Sequence, residues 1–274
     1  PGSRDLRCAA VSDPLETGTP NLSAEVDELG VLRIVLDNPE RHNSLTGRML
    51  GGLQRLFAEA SDDPDVRVVL LRGAGDTAFA SGADIGEQSE RAASGETNPD
   101  RGGFVPALLS CTKPVVAMIH GWCLGGGLLV AMTADIRVAA DDARFSIPAA
   151  RLGVAYPLAA THLLVDIVGR GAAADLLLTG DRIDAAEAHR IGLVSRLVPK
   201  ADLEAETESM VATLAANAPL SMAASKASIA NACESARDAS TEVVAMIDAV
   251  WASEDAASGM EAFFAKRTPS FRGR

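Results

Sequence analysis

Apolar segments alternate with amphipathic ones along most of the chain. Six short, mainly apolar segments predict β-strands, at residues 31–36, 66–71, 115–119, 136–139, 144–146 and 194–198. One segment between them repeats apolar residues at helical spacing: Leu45, Met49, Leu53, Leu56 and Phe57. Ser44 precedes this segment and is a typical N-cap residue, so we predict that it caps the helix. Because the longer strand segments are continuously apolar, we expect them to be buried on both faces.

The same pattern divides the chain into three parts. Residues 1–24 carry Pro, Ser, Thr and Gly without a sustained period, which predicts a flexible tail. Residues 25–200 alternate strand and helix segments, which predicts an α/β core. Residues 201–274 contain no strand pattern, and we predict a helical C-terminal region there, with helices over 202–216, 219–232, 237–252 and 255–266.

Composition and charge narrow the classes of function. The chain has 274 residues, of which 25 are Lys or Arg and 37 are Asp or Glu, so its formal net charge is −12. A nucleic-acid-binding surface needs basic residues to neutralise phosphates, so this balance argues against such a partner. No apolar segment is long enough to span a membrane. The start of the chain lacks a basic and then apolar leader pattern, and we expect a cytoplasmic protein.

Neither the cysteines nor the histidines are spaced like metal ligands. The four cysteines are scattered without a CxxC pair, and the four histidines show no ligand spacing. We therefore predict reduced thiols and no metal site.

Two glycine-containing segments are candidates for chemistry. Residues 79–85 follow a strand and a Gly-rich turn, and residues 120–130, with three consecutive glycines, lie between a strand and a helix. Glycines that open a helix permit close approach of a ligand and leave N–H groups facing it, which suits an anion or a developing oxyanion. A tight packing turn is the alternative for either segment alone. Neither segment matches a Walker loop or the dinucleotide motif.

These two segments and six others resemble the crotonase (enoyl-CoA hydratase/isomerase) superfamily. The matching stretches, in the order of that family, are residues 38–45, 79–85, 113–117, 121–127, 134–139, 148–153, 191–194 and 263–267. The resemblance implies a spiral of β-β-α repeats, a helical C-terminal region that trimerises, and a site for an acyl-CoA thioester. It implies a homotrimer or a dimer of trimers. It also implies that coenzyme A enters as part of the substrate, with no separate cofactor required.

The resemblance also assigns site residues. It places an oxyanion hole at the backbone N–H groups of Ala83 and Gly126, which would polarise the thioester carbonyl and stabilise an enolate. The positions that it implies for CoA contact are Ala80, Ala83, Asp84, Ile85, Gly86, Arg41, Phe263 and Lys266. Phe263 and Lys266 match positions that reach the CoA of a neighbouring subunit. Arg41 is assigned to the CoA phosphates, and a solvated surface arginine is the alternative.

One departure from the family pattern bears on mechanism. A hydratase of this family uses two glutamates, and this sequence has Leu129 and Ala149 at those positions. Adding water to a conjugated double bond needs a base for the water and an acid for the carbon, and neither side chain can act as one. No glutamate lies between Glu96 and Glu187. We therefore expect ordinary two-glutamate hydration to be unavailable.

Two other side chains are candidates for acid–base work. Tyr156 is the only tyrosine and lies in the loop before a predicted helix, and His162 lies near the start of that helix. The alternatives are a core tyrosine with a hydrogen-bonded hydroxyl and a packed histidine. Trp122 and Cys123 are candidates for the wall of an acyl cavity, and His120 is a candidate for fixing the glycine loop.

The sequence leaves two functions open. In the first, an acyl-CoA enzyme of the lyase or isomerase class uses the oxyanion hole with another acid–base group, in isomerisation, hydrolysis, decarboxylation or slow hydration. In the second, a non-catalytic protein binds fatty acyl-CoA, and Leu129 and Ala149 make its site apolar. A pure interaction scaffold is disfavoured, because it does not need two convergent glycine loops.

Overall fold

The computed structural model describes residues 15–84, 87, 103–152 and 154–233, and then 245, 249, 253–255, 258, 262, 265–267 and 270–274. The strands in this part of the chain are β1 (Leu22–Val26), β2 (Val31–Leu36), β3 (Val68–Gly73), β4 (Ala78–Ala80), β5 (Val115–Ile119), β6 (Trp122–Leu124), β7 (Ile136–Ala140), β8 (Arg144–Ser146), β9 (Ile183–Asp184) and β10 (Arg196–Val198). The helices are α1 (Gly47–Asp62), α2 (Phe104–Leu109), α3 (Gly126–Met132), α4 (Leu158–Thr179), α5 (Ala185–Arg190), α6 (Leu203–Ala216) and α7 (Pro219–Cys233). Short 3-10 turns lie at Pro39–Arg41, Ala150–Leu152 and Lys200–Asp202.

A six-stranded sheet forms the centre of the fold, with strand order β1-β2-β3-β5-β7-β10. β1 pairs antiparallel with β2, and the other neighbouring strands are parallel. All of β5 and nearly all of β3 are buried, as their continuously apolar sequences predict.

A smaller sheet has the order β4-β6-β8-β9. Its first three strands follow directly after β3, β5 and β7, so this sheet extends the carboxyl ends of the larger one. β4 pairs parallel with β6, with an irregular register between Ala78 and Ala80. The sequence pattern does not predict β4, β6 or β9, because two or three residues are too few to show a period.

Helix α1 has the buried face that the sequence predicts and a different N-cap. The cap is Thr46, whose side chain accepts a hydrogen bond from the Met49 N–H at 3.2 Å. The Ser44 hydroxyl instead faces the Asp84 carboxylate at 3.5 Å. The prediction of Ser44 as the cap is therefore wrong, because a second candidate cap lies two residues later.

The expected order of an α/β core and then helices is confirmed, since α6 and α7 follow β10. β1 begins at Leu22, so the last residues of the tail expected over 1–24 belong to the sheet, and that boundary is wrong. The predicted helices over 237–252 and 255–266 lie largely outside the described residues. Within the described ranges, no helix combines the length and apolarity needed to cross a bilayer.

Helix α6 covers one face of the larger sheet and shares a separate core with it. Arg33 of β2 fastens this helix, through two contacts of 2.5 and 2.8 Å to the carboxylate of Glu208. The turn before α6 therefore lies at a fixed place beside the ends of the parallel strands.

Candidate active site

The Ala83 N–H points away from the hydrogen bonds that its two chain neighbours, Gly82 and Asp84, form with Leu45. The Leu45 N–H donates to the Gly82 carbonyl at 2.7 Å, and the Asp84 N–H donates to the Leu45 carbonyl at 2.9 Å. These two bonds occupy the side of the chain that faces Leu45. The Ala83 N–H points the other way and donates to no described residue.

Gly126 supplies a second N–H at the same place. It is the first residue of α3, so its N–H has no acceptor inside the helix. A Cβ built on Gly126 would lie 3.2 Å from the Ala83 nitrogen, so the two residues are in direct contact. The structure therefore brings together the two donors that the resemblance assigns to an oxyanion hole.

The glycines on either side of Gly126 are required by the backbone. Gly125 has φ +50° and is held by a 2.8 Å bond from its N–H to the Ser146 carbonyl. A Cβ on Gly127 would lie 2.3 Å from the Ala80 carbonyl oxygen, which shows how closely α3 passes β4. Left-handed backbone and this close approach both exclude a side chain.

The two positions at which hydratases of the resembled family carry glutamate have apolar, buried side chains in this protein. Leu129 lies one turn into α3 and is 3% exposed, and Ala149 is 9% exposed. Ala149 follows Pro148, whose side chain lies 3.9 Å from a Cβ built on Gly125. Position 149 therefore lies beside the glycine loop, and it offers a methyl group there.

Tyr156 adds a buried polar atom to the large apolar core of the molecule. Its ring packs against the same core as Leu129 and Ala149, and its buried hydroxyl has no hydrogen-bond partner among the described residues. Burial raises the pKa of Tyr156 and also the pKa of the nearby Cys123 thiol. Both groups are therefore neutral at neutral pH, and the tyrosine hydroxyl is a proton donor without an acceptor.

The other sequence candidates occupy different surroundings. His162 lies on the first turns of α4 with an exposed side chain. Trp122 and Cys123 alternate along β6, so they face opposite sides of the small sheet and cannot line one cavity together. Cys123 faces the buried side, whereas Trp122 stacks with Arg182, whose guanidinium lies 5.0 Å from the ring centroid.

His120 is joined to β4 through its backbone, so the observed contact does not depend on the imidazole. Its backbone carbonyl accepts a 2.9 Å hydrogen bond from the Phe79 N–H. Its side chain is buried, and Nε2 has no partner among the described residues. Burial lowers the pKa of His120, so the ring is neutral at neutral pH.

The residues assigned to CoA are partly described. Arg41 pairs with the buried carboxylate of Asp84 at 3.0 Å, directly beside Ala83. A cavity of about 490 Å³ adjoins this pair, and Arg48 also lines it. Ala80 is buried at the end of β4, and Lys266 is exposed near the C-terminus. Ile85, Gly86 and Phe263 lie outside the described residues.

Sequence reasoning did not single out Lys200, whose ammonium pairs with Asp76, two residues before β4, and with Asp142, in the turn between β7 and β8. A single lysine after a proline resembles any surface lysine, and the sequence offers no signal that could have identified it.

Comparison with known proteins identifies relatives over most of the chain. A sequence model of the family described as enoyl-CoA hydratase/isomerase matches residues 27–274. A probable enoyl-CoA hydratase of Mycobacterium tuberculosis is 34% identical over 242 residues, which cover 88% of this chain and 94% of that protein. Carnitinyl-CoA dehydratase of Escherichia coli is 33% identical over 255 residues, which cover 89% and 95%. The crystal structure of an enoyl-CoA hydratase/carnithine racemase from Magnetospirillum magneticum matches with a TM-score of 0.85 and 31% identity, over 93% of this chain and 97% of that one. This structural match confirms the fold that the resemblance implies.

Proposed function

Because the chain belongs to the enoyl-CoA hydratase/isomerase family, we propose that it binds an acyl-CoA thioester with the carbonyl oxygen against the N–H groups of Ala83 and Gly126. The observation that carries this proposal is the direct contact between these two residues, whose N–H groups are unpaired among the described residues. Two fixed donors stabilise the negative charge that develops on the oxygen of an enolate. One such donor is worth about 3–4 kcal/mol in a transition state.

The side chains around the hole decide which reactions are available. Leu129 and Ala149 cannot activate water or move a proton. Tyr156 and Cys123 are neutral, because burial raises the pKa of each. The carboxylate of Asp84 is held by Arg41. Among the described residues, the site offers two oxyanion donors, the two carboxylates beside it are held by Arg41 and by the Gly47 N–H, and the neutral Tyr156 hydroxyl lies in the adjoining core.

Decarboxylation fits this set of groups better than hydration does. In a β-carboxyacyl thioester the bond between the α-carbon and the carboxylate breaks, CO₂ leaves, and the electron pair forms the enolate at the oxyanion hole. A proton then adds to the α-carbon, and we propose that the neutral Tyr156 hydroxyl donates it and that the tyrosinate then takes a proton back from water. No base and no activated water enter this sequence. We therefore place decarboxylation ahead of isomerisation, hydrolysis and slow hydration.

A non-catalytic acyl-CoA-binding protein is the second candidate. The apolar side chains at positions 129 and 149 favour it, since they can pack against a bound acyl chain without taking part in any reaction. The oxyanion hole serves such a protein only by orienting the thioester.

One set of assays separates these functions. We expect butyryl-CoA to bind more tightly than its thioether analogue S-butyl-CoA, because only the thioester has a carbonyl oxygen. We expect crotonyl-CoA to keep its enoyl absorbance at high protein concentration, and malonyl-CoA to yield acetyl-CoA. Hydration at an ordinary hydratase rate would contradict our view of positions 129 and 149. Equal binding of thioester and thioether would contradict the proposed hole, and binding without any turnover would select the second candidate.

A further inference from the structure

We propose that Lys200 is a positioning residue of the oxyanion hole, which holds the two donor-bearing strands in register from the end opposite to the hole. The inference rests on the proposed function of Ala83 and Gly126. The hole lies after the carboxyl ends of β4 and β6. Lys200 binds Asp76, just before β4, and Asp142, in the turn between β7 and β8, whose carboxylate accepts a hydrogen bond from the residue before β6.

The Lys200 ammonium has three oxygen partners on two segments. Nζ lies 2.8 Å from Oδ1 of Asp76 and 3.1 Å from the Asp76 backbone carbonyl oxygen. It also lies 2.7 Å from Oδ2 of Asp142. These three contacts place the two carboxylates on one cation. A shared ion of this kind is a network, which holds its geometry better than an isolated surface pair.

Each of these partners is linked to the start of one donor-bearing strand, Asp76 through the chain itself and Asp142 through a hydrogen bond. Asp76 lies two residues before β4, and the chain continues from β4 to Ala83. Oδ1 of Asp142 accepts a hydrogen bond of 3.3 Å from the Gly121 N–H, and Gly121 immediately precedes β6. The chain then continues from β6 to Gly126. Lys200 therefore reaches one donor strand through Asp76 and the other through Asp142.

The starts of β4 and β6 have little room to slide past each other. The Trp122 N–H donates to the Thr77 carbonyl at 3.1 Å. A Cβ on Gly121 would lie 1.9 Å from the same Thr77 oxygen, so the two segments touch closely. The ladder between β4 and β6 is irregular between Ala78 and Ala80, so the contacts at the strand starts contribute to the alignment of the two strands. A shift at this end would be transmitted along two short parallel strands to the Ala83 and Gly126 nitrogens.

Lys200 is itself held in place by its backbone. Its N–H donates to the Asp141 carboxylate at 3.1 Å, and the Asp141 N–H donates to the Val198 carbonyl at 2.9 Å. Its ammonium also hydrogen-bonds to the Asp76 carboxylate, which lowers the pKa of that acid. Without the cation, the bridge between Asp76 and Asp142 is lost, and with it the link that the shared ammonium provides between the starts of β4 and β6.

The test compares Lys200→Met, which removes the charge, with Lys200→Arg, which keeps it. Arg190→Met is the matched control, because it removes an exposed cation that pairs with Glu187 within α5. The first readout is the infrared carbonyl stretch of bound butyryl-CoA labelled with ¹³C at the thioester carbon. We expect Lys200→Met to lose about half of the wild-type downshift, with Kd changed by less than about threefold. Lys200→Arg restores the downshift, and Arg190→Met leaves it unchanged.

The second readout needs no ligand, so it separates failure of this inference from failure of the proposed function. We expect amide hydrogen exchange in peptides over 77–84 and 119–127 to be about tenfold faster in Lys200→Met, with no change over α1. Unchanged exchange in both peptides overturns the inference, whether or not a thioester binds. A full downshift in Lys200→Met overturns it as well. A wild-type protein that binds no thioester overturns the proposed function, and the exchange data then decide the role of Lys200.

Discussion

A single methyl group at Gly126 tests the oxyanion hole most directly. The backbone of Gly126 lies outside the left-handed region, so alanine can adopt its conformation without strain. The added Cβ would lie 3.2 Å from the Ala83 nitrogen and 3.8 Å from the Ala83 Cβ. A hydrogen-bonded carbonyl oxygen needs to lie about 2.7–3.1 Å from that nitrogen. The methyl group of Gly126→Ala therefore occupies the space that the substrate oxygen needs.

The expected magnitude follows from the loss of one donor. A fixed donor in an oxyanion hole contributes about 3–4 kcal/mol to the transition state, so turnover should fall about 10²–10³-fold. An ordinary hydrogen bond to the bound thioester is worth about 1 kcal/mol, so Kd should rise about fivefold. The contact of 3.2 Å requires movements of only a few tenths of an ångström, and we expect the fold to survive.

Gly51→Ala is the matched control for this variant. Gly51 is exposed in the interior of α1, and a Cβ there meets nothing within 4 Å. It should stabilise the protein by about 1 kcal/mol through helix propensity and leave the site unchanged. The assays are thermal unfolding, turnover of malonyl-CoA, and titration with butyryl-CoA and S-butyl-CoA. If Gly126→Ala keeps wild-type turnover and still prefers the thioester over the thioether, the reasoning about this hole is refuted.

Three further predictions concern the side chains around the hole. Leu129→Glu combined with Ala149→Glu should give measurable hydration of crotonyl-CoA, and neither single variant should do so; no gain from the pair would show that the cavity has diverged beyond these two positions. Tyr156→Phe should abolish product formation and stabilise the protein by about 1 kcal/mol, because it removes a buried hydroxyl without a partner; full activity would exclude the tyrosine. Burial lowers the pKa of His120, so the unfolded chain takes up a proton first as the pH falls below about 6.5. The free energy of unfolding of the wild type should therefore drop more than that of His120→Gln between about pH 7.5 and about pH 5.5, which span the ordinary histidine pKa. Urea titrations at the two pH values measure both drops, and equal drops would contradict this reasoning.

Long apolar segments made the larger sheet predictable. The segments at 31–36 and 115–119 become β2 and β5 with the same bounds, because strands buried on both faces need continuous apolar residues. The small sheet could not be predicted in this way. β4 and β6 have three residues each, and their pairing is set by the strands that precede them.

The sequence could indicate the candidate site only where its proposed groups belong to the backbone. The proposed oxyanion hole needs glycine and alanine at defined places in two loops, and such residues leave a recognisable pattern. Lys200 could not be found in this way, because its role depends on carboxylates at Asp76 and Asp142 that are far away in the sequence. The unpartnered hydroxyl of Tyr156 is likewise a property of the packed interior.

The parallel pairing of β3 with β5 has a consequence for how the protein folds. Ala83 and Gly126 follow these two strands, so the hole cannot form until segments distant in the sequence have paired. Such non-local pairing is a slow event in folding. A thioester should therefore leave the refolding rate unchanged and slow the unfolding rate instead, since only the finished sheet can hold the ligand. Affinity for a thioester should therefore appear only after this long-range pairing has formed.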